Sequence, residues 1–464
     1  PFLKKFEATV RCCTQNGVRG GSATVHFPFW HQEIEDILVL KNNKGTEDNR
    51  VRKLDYSIQL NKTMYERLLT QGTISLFSPH DVPGLYEAYF GDAEEFKKLY
   101  EKYEKDTKIK KKTLPAMELF SALVKERAET GRIYIMNVDH ANTHSSFKDT
   151  VYMSNLCQEI TLPTKPLQHI DDEQGEIALC ILSAINVGVI KELDDLEELC
   201  DLAVRALDEI IDYQKYPVRA AEISTKARRS LGIGYIGLAH YLAKNQVMYG
   251  DKKALTLVHR LTEAFQYNLL KASLNLAKEK GKCDGFDKTK YSDGILPIDT
   301  YKKELDEVCD IKLQYDWDWL RDEIVTHGLR HSTLSAQMPS ESSSVVSNAT
   351  NGIEPPRGYL SVKKSKKGPL KQVVPQYQTL KNYYTLLWDM PGNDGYINIV
   401  AVMQKFFDQA ISGNWSYNPT HYENNEVPMS IMLKDLLNTY KYGWKTSYYQ
   451  NTYDYKGDGD IEEE

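Results

Sequence analysis

Residues 115–138, PAMELFSALVKERAETGRIYIMNV, decide the fold class. Pro115–Glu129 reads as a helix, and Arg132–Val138 (RIYIMNV) reads as a strand that follows it at once. The alternation continues outward. On the N-terminal side, Asp55–Leu69 is expected to be helical and Ile74–Phe77 a short strand. On the C-terminal side, Ser154–Ile160 reads as a strand and Asp194–Ile211 as an amphipathic helix, with Leu196, Leu199, Cys200, Ala203, Leu207 and Ile210 on one face. Helices are expected near 256–280, 317–326, 398–411 and 429–440, with short strands at 333–338 and 445–450. Strands alternating with helices predict an α/β architecture with parallel strands. No internal repeat or low-complexity linker divides the chain. The basic run Lys363–Gly368 reads as an exposed loop and Asp454–Glu464 as an acidic, disordered tail.

The 464 residues carry 58 basic and 65 acidic side chains, a formal net charge of −7. That balance suits a soluble globular protein with a sizeable core and argues against a dedicated nucleic-acid binder. No run approaches the roughly 20 apolar residues of a membrane span, and no charged-then-apolar leader opens the sequence, so the expected location is the cytoplasm. Seven cysteines, an odd number, do not make a disulfide framework and leave room for functional thiols. No cysteine pair has zinc-ligand spacing, and no helical carboxylate–histidine pairs are present for two irons, so no metal is expected. Pro1 is followed directly by helix-like periodicity without a capping signal, which favours a missing upstream partner.

The most informative stretch is Ser154-Asn155-Leu156-Cys157-Gln158-Glu159-Ile160. As a strand it would put Asn155, Cys157 and Glu159 on one face. An amide and a carboxylate flanking a thiol need partners or a task. In a pocket, Glu159 can accept a proton, Asn155 can orient a substrate oxygen and Cys157 can do redox or nucleophilic work. The competing reading is an amphipathic strand with a small hydrophobe at its centre. Cys180, within Ile177–Ala184, reads as a structural cysteine in a buried strand. Cys200 reads as core. Gly232-Ile233-Gly234-Tyr235-Ile236-Gly237 fits the dinucleotide pattern G-x-G-x-x-G, with Asp251 near the usual spacing, but Lys226–Ser230 before it is no buried strand. These glycines are therefore expected to serve close packing.

The Asn-x-Cys-x-Glu stretch with Cys180 downstream resembles the catalytic large subunit of ribonucleotide reductase. So do Phe77–Tyr86 (FSPHDVPGLY), Asn348–Gly358 (NATNGIEPPRG) and Tyr448–Thr452 (YYQNT), which are similar to the aerobic class I enzymes over about residues 1–453. The resemblance implies an incomplete ten-stranded α/β barrel over residues 1–450 with a central catalytic loop. It implies that Cys157 becomes a thiyl radical and takes the 3′ hydrogen, that Glu159 removes the 3′-hydroxyl proton, and that Asn155 holds the hydroxyl region. Cys180 would be half of the redox pair, against its structural reading. Tyr448 and Tyr449 would end a radical pathway arriving from a small subunit, although in a chain with 30 tyrosines an adjacent pair alone says little.

Pro339-Ser340-Glu341-Ser342-Ser343 resembles the loop holding substrate phosphates; residues alone would favour a Ser-rich helix cap. Cys13, Gln15, Gly17, Arg19 and Gly20 lie in a stretch resembling the specificity loop, with Gln15 and Arg19 as base readers; the alternative is a mobile surface loop. The substrates implied are nucleoside diphosphates. No cofactor is expected in this chain: dNTP or ATP effectors would bind mainly upstream, and the diiron-tyrosyl radical belongs to the small subunit. Thioredoxin or glutaredoxin would be the reductant. Compared with the family, an upstream part holding the second redox cysteine is missing, as is a C-terminal cysteine pair. The expectation is the downstream half of a split, phage-type large subunit completed in trans, in host cytoplasm if phage-encoded. The alternatives are a catalytically incomplete fragment that sequesters nucleotides or the small subunit, and a nucleotide dehydrogenase, which fails on context.

Overall fold

The computed structural model describes residues 1–15, 17, 19–365, 368–454 and 461–463. The 115–138 stretch folds as its sequence predicts: Ala116–Thr130 is helical and Ile133–Asn137 is a strand buried along its whole length. Gly131 joins them at φ 68°, and a Cβ there would lie 2.9 Å from the Gln450 carbonyl oxygen, so both conformation and space demand glycine.

Ile133–Asn137 pairs in parallel with Asp55–Leu60, which pairs in parallel with Thr24–Pro28; Thr446–Ser447 adds antiparallel to the other edge. A second parallel pair, Leu182–Asn186 with Gly232–Ile236, is prolonged by parallel bridges from Ile233 to Ser335 and from Gln337 to Ile411. Segment 154–161 runs between these two open runs of strands and is bonded to both. Among the described residues the strands do not close into a cylinder. Helices cover them from outside: Lys252–Lys280 packs on Asp195–Tyr213 and on Asp394–Phe406. The dinucleotide decoy resolves as a buried strand. A Cβ on Gly232 or Gly234 would lie 2.7 Å from Leu182 Cδ2 or the Ala336 carbonyl oxygen, so the glycines serve close packing.

Several expectations are corrected. Asp55–Leu60 is a strand, and only Lys62–Leu69 is helical, begun by Asn61, whose side chain accepts from the Met64 N–H at 3.3 Å. The signal was the period-two alternation of apolar Tyr56, Ile58 and Leu60 with polar Asp55, Ser57 and Gln59, although all six are buried. Ser154–Ile160 is not a strand, because Gln158 turns the backbone at φ 71°. The helix expected at 398–411 spans Asp394–Phe406, and the chain then runs extended beside Ser335 and Gln337. Cys180 lies before the Leu182–Asn186 strand and is exposed rather than buried in it. The basic run belongs to a hairpin of Leu360–Ser365 and Gly368–Val373, with 366 and 367 outside the described residues. Of the tail, 455–460 and 464 are outside them, whereas Ile461–Glu463 pairs with Val362–Lys364.

A charged hub fixes segment 330–335, which borders the site. Asp208 is fully buried and accepts from Arg229 Nε at 2.7 Å, Arg330 Nε at 3.2 Å and His331 Nε2 at 3.0 Å. Burial pushes its carboxyl up, but the His331 hydrogen bond and the Arg229 charge outweigh it and hold it well below the usual carboxylate range. A depressed folded pKa contributes stability above the unfolded value and loses it as pH falls. Asp208→Asn is expected to cost about 3 kcal/mol in urea denaturation at pH 7, since it removes the buried carboxylate between Arg229 and Arg330 and leaves Arg229 only Asp212 as its anion. Below about pH 4 the difference from the wild type should narrow.

Candidate active site: a thiol, a carboxylate and two phenols

The 154–161 loop is irregular backbone at the centre of the molecule, so each polar group needs its own partner. Thr24 Oγ1 donates to the Leu156 carbonyl at 3.1 Å, Ser412 Oγ to that of Cys157 at 2.6 Å, and Thr446 Oγ1 to that of Gln158 at 2.8 Å. The Ala410 N–H donates to the Glu159 carbonyl at 2.9 Å. The Gln158 side chain is an internal strut: Oε1 accepts from Ser57 Oγ at 2.8 Å and Nε2 donates to the Asn155 carbonyl at 3.0 Å. Asn155 Oδ1 accepts from the Ile160 N–H at 3.0 Å, which folds the loop back on itself.

The loop brings together the residues singled out from the sequence. Glu159 is almost fully buried; burial raises its pKa, while hydrogen bonds from Asn155, its own backbone and Ser412 oppose the rise. Burial, then the nearby Glu159 charge, push the half-buried Cys157 thiol up to about 11; the Tyr448 hydroxyl and the Arg19 charge pull the other way. Cys180, exposed as a residue, keeps its sulfur in this group: desolvation, Glu159 and Cys157 raise its pKa and an Asn155 hydrogen bond lowers it.

Tyr448 OH donates to Cys157 Sγ at 3.4 Å, and the Tyr448 and Tyr449 hydroxyls are 2.8 Å apart with ring centroids at 3.8 Å. Tyr134 packs on both rings at 4.9 and 5.9 Å. Buried Arg127 fixes the pair from behind, donating to the Tyr448 and Tyr449 carbonyls at 2.7 and 3.1 Å. Burial raises the pKa of both phenols; for Tyr449, the Tyr448 hydrogen bond and the Arg132 charge oppose it.

The other two motifs sit at the margin. Ser340 is buried at the start of the short helix Glu341–Val346, its Oγ donating to the Met338 carbonyl at 3.2 Å, while Glu341, Ser342 and Ser343 are exposed beyond Pro339. Its approach is fixed by Gln337, whose amide bonds both the N–H and the carbonyl of Tyr235 and whose own carbonyl accepts from the Ser412 N–H at 2.9 Å. Thr14–Gln15 pairs with Arg19–Gly20 across Gly17, at φ 70°. Cys13 accepts from the Gly21 N–H at 2.7 Å. Asn16, Val18 and the side chain of Gln15 lie outside the described residues. Among the described residues no group of three or more His, Cys, Asp or Glu is arranged for a metal ion, and no helix is long and apolar enough to cross a membrane. Arg127, Tyr134, Gln158 and Ser412 escaped sequence reading, since each acts through residues remote in the chain.

With a thiol pKa near 11, only about one part in a thousand of Cys157 is thiolate at pH 8. Alkylation by iodoacetamide at pH 8, mapped by mass spectrometry, should modify exposed Cys12 and Cys13 and spare Cys157. The Cys157 rate should climb about tenfold per pH unit up to its pKa. Tyr448→Phe, which removes a donor to the sulfur, should slow it further.

The profile of the family described as "Ribonucleotide reductase, barrel domain" matches residues 1–450. The chain is 62% identical over 467 residues to the ribonucleoside-diphosphate reductase subunit alpha of Haemophilus influenzae, covering 100% of this chain and 62% of that protein. It is 60% identical over 457 residues to ribonucleoside-diphosphate reductase 1 subunit alpha of Escherichia coli, covering 98% of this chain and 60% of that one. To the subunit alpha of Enterobacteria phage T4 it is 46% identical over 470 residues, covering 100% of this chain and 62% of the relative. The chain thus spans about three fifths of the length of these relatives.

Proposed function

The chain belongs to the ribonucleotide reductase barrel-domain family, and on that premise we propose that it is a catalytic large-subunit component reducing ribonucleoside diphosphates to 2′-deoxyribonucleoside diphosphates. The reading is carried by one observation: an unbroken phenol–phenol–thiol line, 2.8 Å then 3.4 Å, that ends beside a buried carboxylate. Phenols and thiols exchange hydrogen atoms without building net charge, and here burial keeps all three protonated.

The steps follow from those positions. A small radical-generating subunit, with a diiron-tyrosyl centre as its oxidant, would supply the oxidising equivalent to Tyr449. Tyr449, once oxidised, takes the hydroxyl hydrogen of Tyr448, and Tyr448 takes that of Cys157. The Cys157 thiyl removes the 3′ hydrogen atom of the ribose, and an S–H bond is close enough in strength to an activated sugar C–H for this to be reversible. Glu159 accepts the 3′-hydroxyl proton while Asn155 orients the hydroxyls. The 2′-hydroxyl leaves as water with a proton from a thiol. Cys180 and a second thiol give two electrons and the hydrogen that replaces the hydroxyl on C2′ and end as a disulfide; Glu159 returns its proton to the 3′ oxygen, and Cys157 returns its hydrogen atom to C3′. The Pro339–Ser343 segment faces the diphosphate, and the Cys13–Gly20 hairpin, whose Arg19 charge acts on Cys157, transmits effector state to base choice. Bound dNTP or ATP sets that state, and thioredoxin or glutaredoxin reopens the disulfide.

The second thiol comes either from upstream residues of the same polypeptide or from a separate chain, and assay with and without those residues distinguishes the two. With small subunit, dithiothreitol and a nucleoside diphosphate, Cys157→Ser and Tyr448→Phe should each lower turnover by at least about a thousandfold, and Glu159→Gln by about a hundredfold or more, with the fold unchanged. A Cys157→Ser protein as active as wild type would overturn the mechanism. Nucleotide or small-subunit binding with no turnover under any of these conditions would favour the sequestering role.

A further inference from the structure

Ser412 sits where three parts of the site meet. Its Oγ is 2.6 Å from the Cys157 carbonyl oxygen and 3.2 Å from Glu159 Oε2, and its N–H donates at 2.9 Å to the carbonyl of Gln337, two residues before Pro339. It is buried, on the extended stretch after the Asp394–Phe406 helix. The stretch is rigid for a reason: Lys445 Nζ, fully buried, donates to the Asp408 and Gln409 carbonyls at 2.8 and 2.9 Å, and Asp408 itself accepts from the Leu334 and Ser335 N–H groups.

A serine hydroxyl has one proton and faces two acceptors here. We infer that Ser412 is a positioning residue whose single proton is shared between the Cys157 carbonyl and the Glu159 carboxylate, coupling the charge of the carboxylate to the backbone of the radical-bearing cysteine. When Glu159 is ionised, the proton turns toward Oε2 and the Cys157 carbonyl loses its donor. When Glu159 is protonated, its O–H donates to Ser412 Oγ and the serine proton returns to the Cys157 carbonyl. Proton uptake by Glu159 and the anchoring of Cys157 are thereby one event. The titratable and charged groups facing this pair are the Cys157 and Cys180 thiols, Tyr448, Arg19 and Asp55, and none replaces the serine as donor to both oxygens. The inference rests on Glu159 acting as the base proposed above.

Ser412→Ala removes one oxygen and adds no atom. Glu159 is titrated in the resting full chain by infrared difference spectroscopy, its carboxyl band identified by its loss in Glu159→Gln. The expected result is an upward shift of the midpoint by about one pH unit in Ser412→Ala, with the wild-type value restored by Ser412→Thr. Ser412→Gly serves in the same way if the alanine protein fails to fold. An unchanged midpoint in the folded variant overturns the inference. In the assembled enzyme the acid limb of the kcat profile should move by the same amount, with KM unchanged. The titration needs no turnover, so an inactive wild-type enzyme would sink the proposed function while leaving the Ser412 result readable.

Discussion

Everything at the site depends on holding irregular backbone that is half-buried at 154–157 and fully buried at 158–161. A strand would satisfy its own ladder; the 154–161 loop borrows a separate donor for nearly every carbonyl, from Thr24, Ser412, Thr446 and Ala410. Those donors come from both runs of parallel strands, so the loop can keep its shape only when both are assembled. The turn at Gln158, at φ 71°, is the price of aiming Cys157 and Glu159 as they are aimed, and its fully buried amide locks that turn against Ser57 and the Asn155 carbonyl.

Burial, which outweighs the nearby Arg19 and Arg132 charges, sets the chemistry of the group. An activated nucleophilic cysteine has a neighbour that lowers its pKa; here the strongest influences on Cys157 are desolvation and a carboxylate, both of which keep the proton on sulfur. The same environment keeps Tyr448 and Tyr449 neutral. A thiol that is a poor nucleophile but stands in contact with a phenol suits hydrogen-atom exchange better than attack on an electrophile.

The sequence revealed the α/β alternation wherever apolar periodicity was strong and local, as at 116–130, 133–137 and 195–213. It misled at 55–60, where a period-two apolar pattern runs into a genuine helix, and at 154–160, where one left-handed residue replaces a strand. Asn155, Cys157 and Glu159 could be singled out because an amide and a carboxylate beside a thiol are costly to bury without a task, whereas Cys180, Tyr448 and Tyr449 were named only by the family resemblance. Arg127 and Ser412 could not, because an arginine on a helix and a serine in an extended stretch carry no local mark; what distinguishes them is a contact made across hundreds of residues.

The hydroxyl of Tyr448 and the sulfur of Cys157 are 291 residues apart along the chain. Because Thr446–Ser447 joins the edge of a sheet whose other strands lie at 24–28, 55–60 and 133–137, phenol and thiol can meet only after the whole stretch from 24 to 448 has been made. Until then Cys157 lacks the hydroxyl that stands 3.4 Å from its sulfur. Docking of that short edge strand is the step that brings the Tyr448 hydroxyl to the Cys157 sulfur.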